Sequence, residues 1–340
     1  MKHNVILVVL DGLSYQVAQH ALGHLLAYCQ AGRAALYKLD CALPALSRPL
    51  YECILTGVAP IDSGIVNNDV VRLSNQRSVF HYARDAGLST AAAAYHWVSE
   101  LYNRAPFVAA RDRHTDDPAL PIQHGHFYYA DHYPDSHLFA DADSLRQRHS
   151  PNLLLVHPMN IDDAGHKHGL DSSQYRNAAR MADVLLAEYI QTWLDAGYQI
   201  LVTADHGMVN VPEHQRIDYS GVEELTRNIA MTAGEPRAVH LYLEDTSEAA
   251  RTATAQRWAQ YWGERAWVID SRELMRAGYF GPVITDAARG RIGDLMVCAR
   301  DDWALYDMRH YQERALHMVG QHGSLTDAER LVPLRMLKTF

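Results

Sequence analysis

The chain has 340 residues, 48% of them hydrophobic, which is enough for one large α/β domain with a smaller insertion. The formal net charge of −9 and the pI near 6.1 argue against nucleic acid as a partner, because nucleic-acid binders usually show a basic excess or a basic stripe. No apolar run approaches the roughly 18 residues of a membrane span, so no membrane partner is expected either.

The first predicted element is an apolar run, residues 5–10, that stops at Asp11. A signal peptide would need a longer apolar stretch followed by a small-residue cleavage site, so we interpret the run as a buried strand. The four cysteines show neither paired spacing nor a Cys-x-x-Cys motif, which is typical of reduced thiols. Together these features predict a cytoplasmic protein.

Further along the chain, short apolar runs alternate with segments that carry apolar residues at helical spacing. Strands are predicted at 35–39, 90–95, 152–156 and 199–203, and helices at 15–29, 50–56, 80–85 and 175–194. Strands that alternate with helices favour a largely parallel sheet covered on both faces. The predicted fold class is therefore α/β.

Two segments fit this alternation poorly. Residues 96–149 are rich in Tyr, His, Pro and Asp and are predicted to form long loops over the mouth of the sheet. Residues 212–312 show strand and helix patterns of their own between two of the motifs described below, so we assign them to an inserted cap subdomain. Residues 1–211 and 313–340 then form the core.

Asp11 follows the first predicted strand directly, and Gly12 after it permits a tight turn. Open α/β sheets bind their ligands at the carboxyl ends of the strands, so an aspartate at this point is well placed to bind a metal. An aspartate that caps a turn is the alternative interpretation.

Ser47 lies in a turn bounded by Pro44 and Pro49, just before a predicted helix. The free backbone N–H groups at a helix start favour an anion. A serine hydroxyl becomes a nucleophile only when a base or a metal lowers its pKa. Ser47 is therefore either a helix cap or, beside a metal, a nucleophile that attacks phosphorus.

Asp162 and His166 follow the strand predicted at 152–156 and lie four residues apart, in a segment that ends at Gly169. A carboxylate and an imidazole at this spacing can both face one cation. Asp163 and His168 lie in the same segment, and spacing alone does not exclude them.

Asp205 and His206 come together at the end of the strand predicted at 199–203, where Gly207 lets the backbone turn. His322 lies between two glycines more than a hundred residues later. Mixed carboxylate and imidazole ligands suit zinc or a similar first-row divalent metal better than calcium. The motifs thus predict a metal centre assembled from distant parts of the chain.

Taken in order, these motifs resemble the alkaline phosphatase superfamily, and within it the nucleotide pyrophosphatase/phosphodiesterase-like branch, which includes phosphonoacetate hydrolase. The resemblance implies a three-layer α/β/α core with a small inserted cap. It also implies two divalent metal ions, zinc above all, with manganese or iron as alternatives. The ligand sets carried over are Asp162, His166 and His322 for one ion, and Asp11, Asp205, His206 and the nucleophile Ser47 for the other.

Two further positions follow from this resemblance. An asparagine 21 residues after the nucleophile donates to a phosphoryl oxygen in that branch, which corresponds to Asn68 here, with Asn67 as the alternative. In that branch the nucleophile is usually a threonine. In the nucleotide-cleaving members the residue directly after it is often aromatic. This chain has Arg48 after Ser47, which indicates an anionic group on the substrate in place of a stacked base. Arg237 in the cap is a further predicted substrate contact.

The implied reaction is hydrolysis of a phosphodiester or phosphonate ester through a phosphoseryl intermediate at Ser47, on a small phosphorus-containing anion. A phosphomonoesterase, or a hydrolase of the C–P bond of a phosphonate, would use the same site and stays an alternative. A non-catalytic binding protein would lack a ligand or the nucleophile, and none is missing here. A sulfatase is disfavoured because Tyr51 stands where sulfatases need arginine. The oligomeric state stays open, a homodimer included.

Overall fold

The structure is a computed structural model that describes residues 4–129 and 133–337. Its strands, in chain order, are β1 (Asn4–Val9), β2 (Ala34–Asp40), β3 (Thr90–Tyr95), β4 (His114–Asp116), β5 (His124–Tyr128), β6 (Leu153–Val156), β7 (Tyr198–Thr203), β8 (Val209–Asn210), β9 (Arg216–Asp218), β10 (Ile229–Glu235), β11 (Ala238–Leu243), β12 (Ala266–Asp270), β13 (Leu295–Ala299), β14 (Ala304–Tyr306), β15 (Gly320–Gln321) and β16 (Leu331–Leu337).

Helices connect most of these strands. They are α1 (Tyr15–Ala21), α2 (Gly23–Gln30), α3 (Ser47–Thr56), α4 (Pro60–Ser63), α5 (Val79–Asp85), α6 (His96–Tyr102), α7 (Ala109–Asp112), α8 (Asp135–His149), α9 (Asn160–His168), α10 (Ser173–Asp195), α11 (Glu223–Thr226), α12 (Glu248–Trp262), α13 (Ser271–Arg276), α14 (Asp286–Arg289) and α15 (Asp327–Arg330). Within the described ranges, none of them is both long enough and apolar enough to cross a bilayer.

An eight-stranded sheet forms the centre of the molecule, in the order β2-β16-β7-β1-β6-β3-β5-β4. The five strands from β7 to β5 run parallel, whereas β16 pairs antiparallel with both β2 and β7, and β4 pairs antiparallel with β5. The sheet is thus largely parallel, which confirms the predicted α/β class.

Side chains along β1 show that helices cover both faces of this sheet. Ile6 and Val8 pack into a core that includes Trp193 of α10 and Phe139 of α8. Val9, which points to the opposite face because strand side chains alternate, packs into a second core with residues of α3 and α6. Two cores separated by one sheet give three layers, and the central strands are buried on both sides.

The long-loop prediction for residues 96–149 is wrong, because α6, β5 and the fifteen-residue α8 lie there. Leu138, Ala142 and Leu145 of α8 are buried at helical spacing, but Asp, His and Arg residues between them hide this pattern. The sequence also gave no sign of β16, which contains Pro333 and is nevertheless inserted between β2 and β7.

A second, four-stranded sheet has the order β10-β11-β13-β12, and its strands pair antiparallel. Helix α12 contributes Trp258 and Trp262 to the core on this sheet. All four strands fall within the segment 212–312 that the sequence assigned to a cap. The limits of that cap remain a prediction.

Candidate functional site

The candidate site lies where three neighbouring strands end. β1 is flanked by β6 and β7, and all three run parallel, so the segments that follow them leave the sheet at the same edge. Asp11 follows β1, and Asp205 and His206 follow β7. Asp162 and His166 lie one turn apart on α9, the helix after β6. The topology therefore brings three separate motifs to one place.

His322 reaches this edge because β15 pairs with β8, which directly follows the Asp205-His206 turn. Gly320 in β15 also lies against α9. A Cβ atom at Gly320 would lie 2.4 Å from the carbonyl oxygen of Gly165, so only glycine permits this approach. Two glycines therefore set the distance between His322 and the helix that carries Asp162.

The three histidines are held in one tautomer. Each places Nδ1 at hydrogen-bond distance from a backbone carbonyl, and a carbonyl only accepts. The pairs are His166 with Gly320 at 2.8 Å, His206 with Gly207 at 3.1 Å and His322 with Ala45 at 2.8 Å. Nδ1 must then carry the proton, which leaves each Nε2 as a bare lone pair. This arrangement is typical of histidines that bind metals.

The three carboxylates are buried, and each has one oxygen without a hydrogen-bond partner: Asp11 Oδ1, Asp162 Oδ1 and Asp205 Oδ2. Burial raises the pKa of all three well above its ordinary value, and neighbouring carboxylates raise it further. The same burial lowers the pKa of His206 to about 3, so its ring is neutral at physiological pH. Among the residues that the structure describes, no arginine or lysine forms an ion pair with these three carboxylates.

The free acceptors also face one another. His206 Nε2 lies 3.2 Å from Asp205 Oδ2 and 3.7 Å from Asp11 Oδ1, and His166 Nε2 lies 3.3 Å from Asp162 Oδ2. Lone pairs at these distances repel unless a proton or a cation lies between them. Ligands on a tetrahedral zinc ion are roughly 3.4 Å apart, given bonds of about 2.1 Å. The residues present therefore fit a divalent metal.

The groups of side chains whose ligand atoms lie close together differ in one respect from the predicted ligand sets. Asp162, His206 and His322 form one group of mutually close ligand atoms, and Asp11, Asp205 and His206 form another. His206 therefore belongs to both groups. His166 lies beside Asp162, with its ring centroid 5.2 Å from that of His322.

Two side chains that the sequence did not single out orient Asp11. The Tyr51 hydroxyl, one turn after Ser47 on α3, donates to Asp11 Oδ2. His157 Nε2 contacts the same oxygen at 3.1 Å, while its Nδ1 accepts from the Tyr95 amide. Both contacts fall on Oδ2 and leave Oδ1 directed at the site. The sequence offered only positional signals for these roles: Tyr51 lies one helical turn after Ser47, and His157 directly follows β6.

Ser47 is the first residue of α3, and its Oγ lies 3.0 Å from His206 Nε2. Because that nitrogen is an acceptor, the Ser47 hydroxyl donates to it. Asn68 lies beside Ser47 in the pocket, and its Oδ1 accepts from the backbone amide of Arg48. This bond fixes the amide orientation and leaves Nδ2 as a free donor. Asn67 instead bonds the Asp69 amide in a local turn.

A cavity of about 580 Å³ opens over these groups. Its wall contains cationic and apolar side chains that the sequence did not identify. They are Lys167, Arg314, His317, Tyr95, Trp97, Met159 and Met318. Arg314 and His317 are exposed and lie on a short 3-10 turn, Glu313–His317, shortly before His322. Arg314 therefore places a positive charge at the mouth of the cavity.

The two arginines predicted as substrate contacts are engaged elsewhere. Arg48 is buried, pairs with Glu100 at 2.8 Å, and stacks its guanidinium 4.6 Å from the ring centroid of Trp97. Arg237 is buried against both carboxylate oxygens of Glu329. Neither lines the cavity, because each guanidinium balances a buried acid. The geometry gives no support to direct substrate contact by either residue.

Comparison with protein families gives one match that covers nearly the whole chain. Residues 5–325 match the family described as type I phosphodiesterase / nucleotide pyrophosphatase. No curated protein matches the chain in sequence.

Solved structures show the same fold at low sequence identity. Phosphonoacetate hydrolase from Sinorhizobium meliloti 1021, in complex with phosphonoacetate, superposes with a TM-score of 0.73 at 20% identity, over 100% of this chain and 91% of that chain. An inactive variant of murine ectonucleotide pyrophosphatase / phosphodiesterase 5, in complex with AMP, gives a TM-score of 0.70 at 16% identity, over 98% of this chain and 87% of that chain. These likenesses concern the fold.

Proposed function

The chain belongs to the type I phosphodiesterase / nucleotide pyrophosphatase family of metal-dependent hydrolases, and on that basis we propose that it cleaves phosphodiester or phosphonate ester bonds with two metal ions and Ser47 as nucleophile. One observation carries the proposal. Three buried carboxylates each leave an oxygen unpartnered beside neutral imidazoles, and the Ser47 hydroxyl lies in contact with one of those imidazoles. A site of this composition suits cations and a phosphoryl group.

The proposed ligands are the residues whose acceptors converge. They are Asp162, His166 and His322 for one ion, and Asp11, Asp205, His206 and Ser47 for the other. Imidazole and carboxylate donors in tetrahedral spacing favour zinc, with manganese or iron as alternatives. Bound ions would lower the pKa of the Ser47 hydroxyl and stabilise negative charge at phosphorus.

The chain's own residues position the reacting groups and provide one neutral hydrogen-bond donor. In the first step the Ser47 hydroxyl loses its proton to solvent and the bond from its Oγ to phosphorus forms. The leaving group departs with the electron pair of the bond that breaks, so Ser47 carries the phosphoryl group. Asn68 Nδ2 donates to a phosphoryl oxygen, since its Oδ1 is already occupied. Water then hydrolyses the phosphoseryl group and restores the Ser47 hydroxyl. Tyr51 and His157 keep Asp11 in place throughout.

For the substrate, we propose a compact phosphorus compound with a second anionic group. The support comes from the cavity mouth, where the side chains of Arg314 and Lys167 supply positive charge. Lys167 already pairs with Asp163 at 2.6 Å, so Arg314 is the better candidate for the second anion. This role replaces the one that the sequence suggested for Arg48.

A phosphonoacetate hydrolase-like reaction on a C–P bond, or a phosphomonoesterase, is the second candidate. The same cationic mouth favours it, because a carboxylate or a doubly charged phosphate would also be neutralised there. The bacterial relative with the same fold was solved with phosphonoacetate, whereas the murine relative was solved with AMP. Tyr95 and Trp97 are large aromatic residues in the cavity wall, and Arg48 already stacks on the Trp97 ring.

The decisive experiment is a hydrolysis panel on metal-loaded protein, with a phosphodiester, a phosphomonoester, a phosphonate monoester and phosphonoacetate. We expect the highest kcat/KM on an anionic phosphodiester or phosphonate monoester, with Ser47→Ala as the control for contaminating activity. Arg314→Ala should raise KM for the anionic compounds and leave a neutral aryl diester nearly unchanged. Preference for nucleotide diesters over all compact substrates would contradict the substrate class.

We also propose that the protein acts in the cytoplasm. Four free thiols, at Cys29, Cys41, Cys53 and Cys298, support a reducing compartment. Cell fractionation of the native protein tests this location, and recovery in the secreted fraction would exclude it.

A further inference from the structure

A second group of metal-binding side chains lies at the far edge of the eight-stranded sheet. There β4 and β5 pair antiparallel, with Asp116 directly opposite His124. His149 is the last residue of α8, and its ring stacks on that of His124 with centroids 3.8 Å and planes 16° apart. β4 is four strands from β1, roughly 19 Å at ordinary strand spacing. The group is therefore separate from the catalytic residues.

The geometry of this group suits a single ion. One ligand atom from each of Asp116, His124 and His149 lies within 4.8 Å of the other two. His124 Nδ1 is 2.9 Å from Asp116 Oδ1. Ligands bound at about 2.1 Å are roughly 3.0–3.4 Å apart in octahedral or tetrahedral sites, so a small rotation of His149 would complete the set.

We propose that Asp116, His124 and His149 bind a divalent first-row transition metal such as Zn²⁺, Ni²⁺ or Cu²⁺. Two imidazoles and one carboxylate are the donors these ions prefer, whereas Mg²⁺ and Ca²⁺ prefer oxygen ligands alone. Three protein ligands leave further positions to water, so the ion is exchangeable.

A purely structural role explains less of this arrangement. The bond between His124 and Asp116 could hold the β4–β5 pair by itself, but it gives no reason for His149 to stack there. A bound ion would join the edge of the sheet to the end of α8.

The neighbouring histidines provide a matched control. His114 and His126 lie opposite each other two residues further along the same two strands, with ring centroids 4.4 Å apart. His126 is bonded to Asp141 at 2.9 Å and lies outside the proposed set. His114→Ala therefore removes a histidine from the same surface without removing a proposed ligand.

The test counts bound metal on the full chain. Chelator-stripped wild type, the double variant His124→Ala/His149→Ala and His114→Ala are equilibrated with Zn²⁺, separated from free metal and analysed by mass spectrometry. We expect wild type and His114→Ala to hold one equivalent more than the double variant, which should keep wild-type diesterase activity. Equal metal content in all three proteins would overturn the proposal, whether or not the protein proves to be a hydrolase.

A second measurement locates the ion and does not depend on correct folding of the double variant. Asp116→Asn changes one exposed side chain and nearly preserves its shape. Hydrogen exchange should slow in β4, β5 and the end of α8 when Zn²⁺ is added to wild type, but not when it is added to Asp116→Asn. Equal protection of these segments in both proteins would also overturn the proposal.

Discussion

The molecule buries carboxylates in two regions and treats them in opposite ways. Between the second sheet and the core, Glu329 meets Arg237 with both oxygens, and it also accepts from the Ser324 amide. At the strand ends, the free oxygens of Asp11 and Asp162 face imidazole nitrogens that are acceptors, and among the described residues neither carboxylate contacts a guanidinium or ammonium group. The first region balances its charge within the chain. The second leaves a negative charge that a bound cation would balance.

Glu52 shows a third solution. It is fully buried in α3, one oxygen accepts from Ser74 at 2.6 Å, and the other has no partner. Burial raises its pKa from 4.5 to about 7, so a proton balances its charge below about pH 7. A buried acid in this protein is thus matched by an arginine, by a proton or, as we propose, by a metal.

The largest expected effect tests whether the unbalanced region is catalytic. Ser47→Ala removes the proposed nucleophile and keeps every metal ligand that is a carboxylate or an imidazole. We expect kcat to fall by at least about a thousandfold, or about 4 kcal/mol, while metal content and circular dichroism stay as in wild type. Activity within tenfold of wild type would rule out Ser47 as the nucleophile.

In the region where Arg237 pairs with Glu329, a substitution should mainly change the free energy of unfolding. Glu329→Gln leaves Arg237 buried without its counter-charge, so the free energy of unfolding should fall by about 3–5 kcal/mol in urea titrations. The matched variant is Asp162→Asn in metal-free protein at pH 8. It removes a charge that has no partner, so the free energy of unfolding should rise. A loss of stability in both variants would show that the two regions do not differ in this way.

Asn68→Ala tests the neutral donor of the site. Its kcat/KM should fall by an amount that corresponds to about 2–4 kcal/mol of lost transition-state stabilisation, the usual cost of losing one hydrogen bond to a developing negative charge. The amount of bound metal should not change. Asn67→Ala is the control, since that side chain bonds only within its own turn. If the control loses the activity and Asn68→Ala does not, the assignment of the donor is wrong.

The pH dependence of stability tests Glu52. Because its pKa is raised by folding, the stabilisation is fully present below pH 4.5 and is lost as the pH rises through about 7. The loss amounts to at most about 3 kcal/mol, at 1.36 kcal/mol per pKa unit. Glu52→Gln should lack this dependence, so the stability difference between wild type and variant should change between pH 5 and pH 8. A constant difference would contradict the assignment.

Sequence reasoning was most informative where a residue's neighbours along the chain determine its position. Asp11, Asp205 and His206 directly follow buried strands, and the structure brings them together at one sheet edge. Their role as metal ligands stays a prediction. Arg48 and Arg237 show the limit, because their partners Glu100 and Glu329 are 52 and 92 residues away. Nothing in local spacing reveals a pairing over that distance.

The same limit applies to the cavity and to the sheet. Arg314 and His317 reach the cavity mouth through a turn that has no motif of its own. β16 was missed because Pro333 usually argues against an internal strand. Its place in the sheet depends on β2 and β7, which both lie far earlier in the chain.

The insertion of β16 between β2 and β7 has a consequence for biosynthesis. β2 and β7 are both translated before residue 204, yet they have no hydrogen-bonded contact with each other, and β16 joins them. Until residues 331–337 leave the ribosome, β7 has an open edge and β2 has no partner in the sheet. Strand edges with unpaired backbone N–H and C=O groups can pair with other chains. The nascent chain therefore keeps these edges unpaired over the whole interval between translation of β7 and translation of β16.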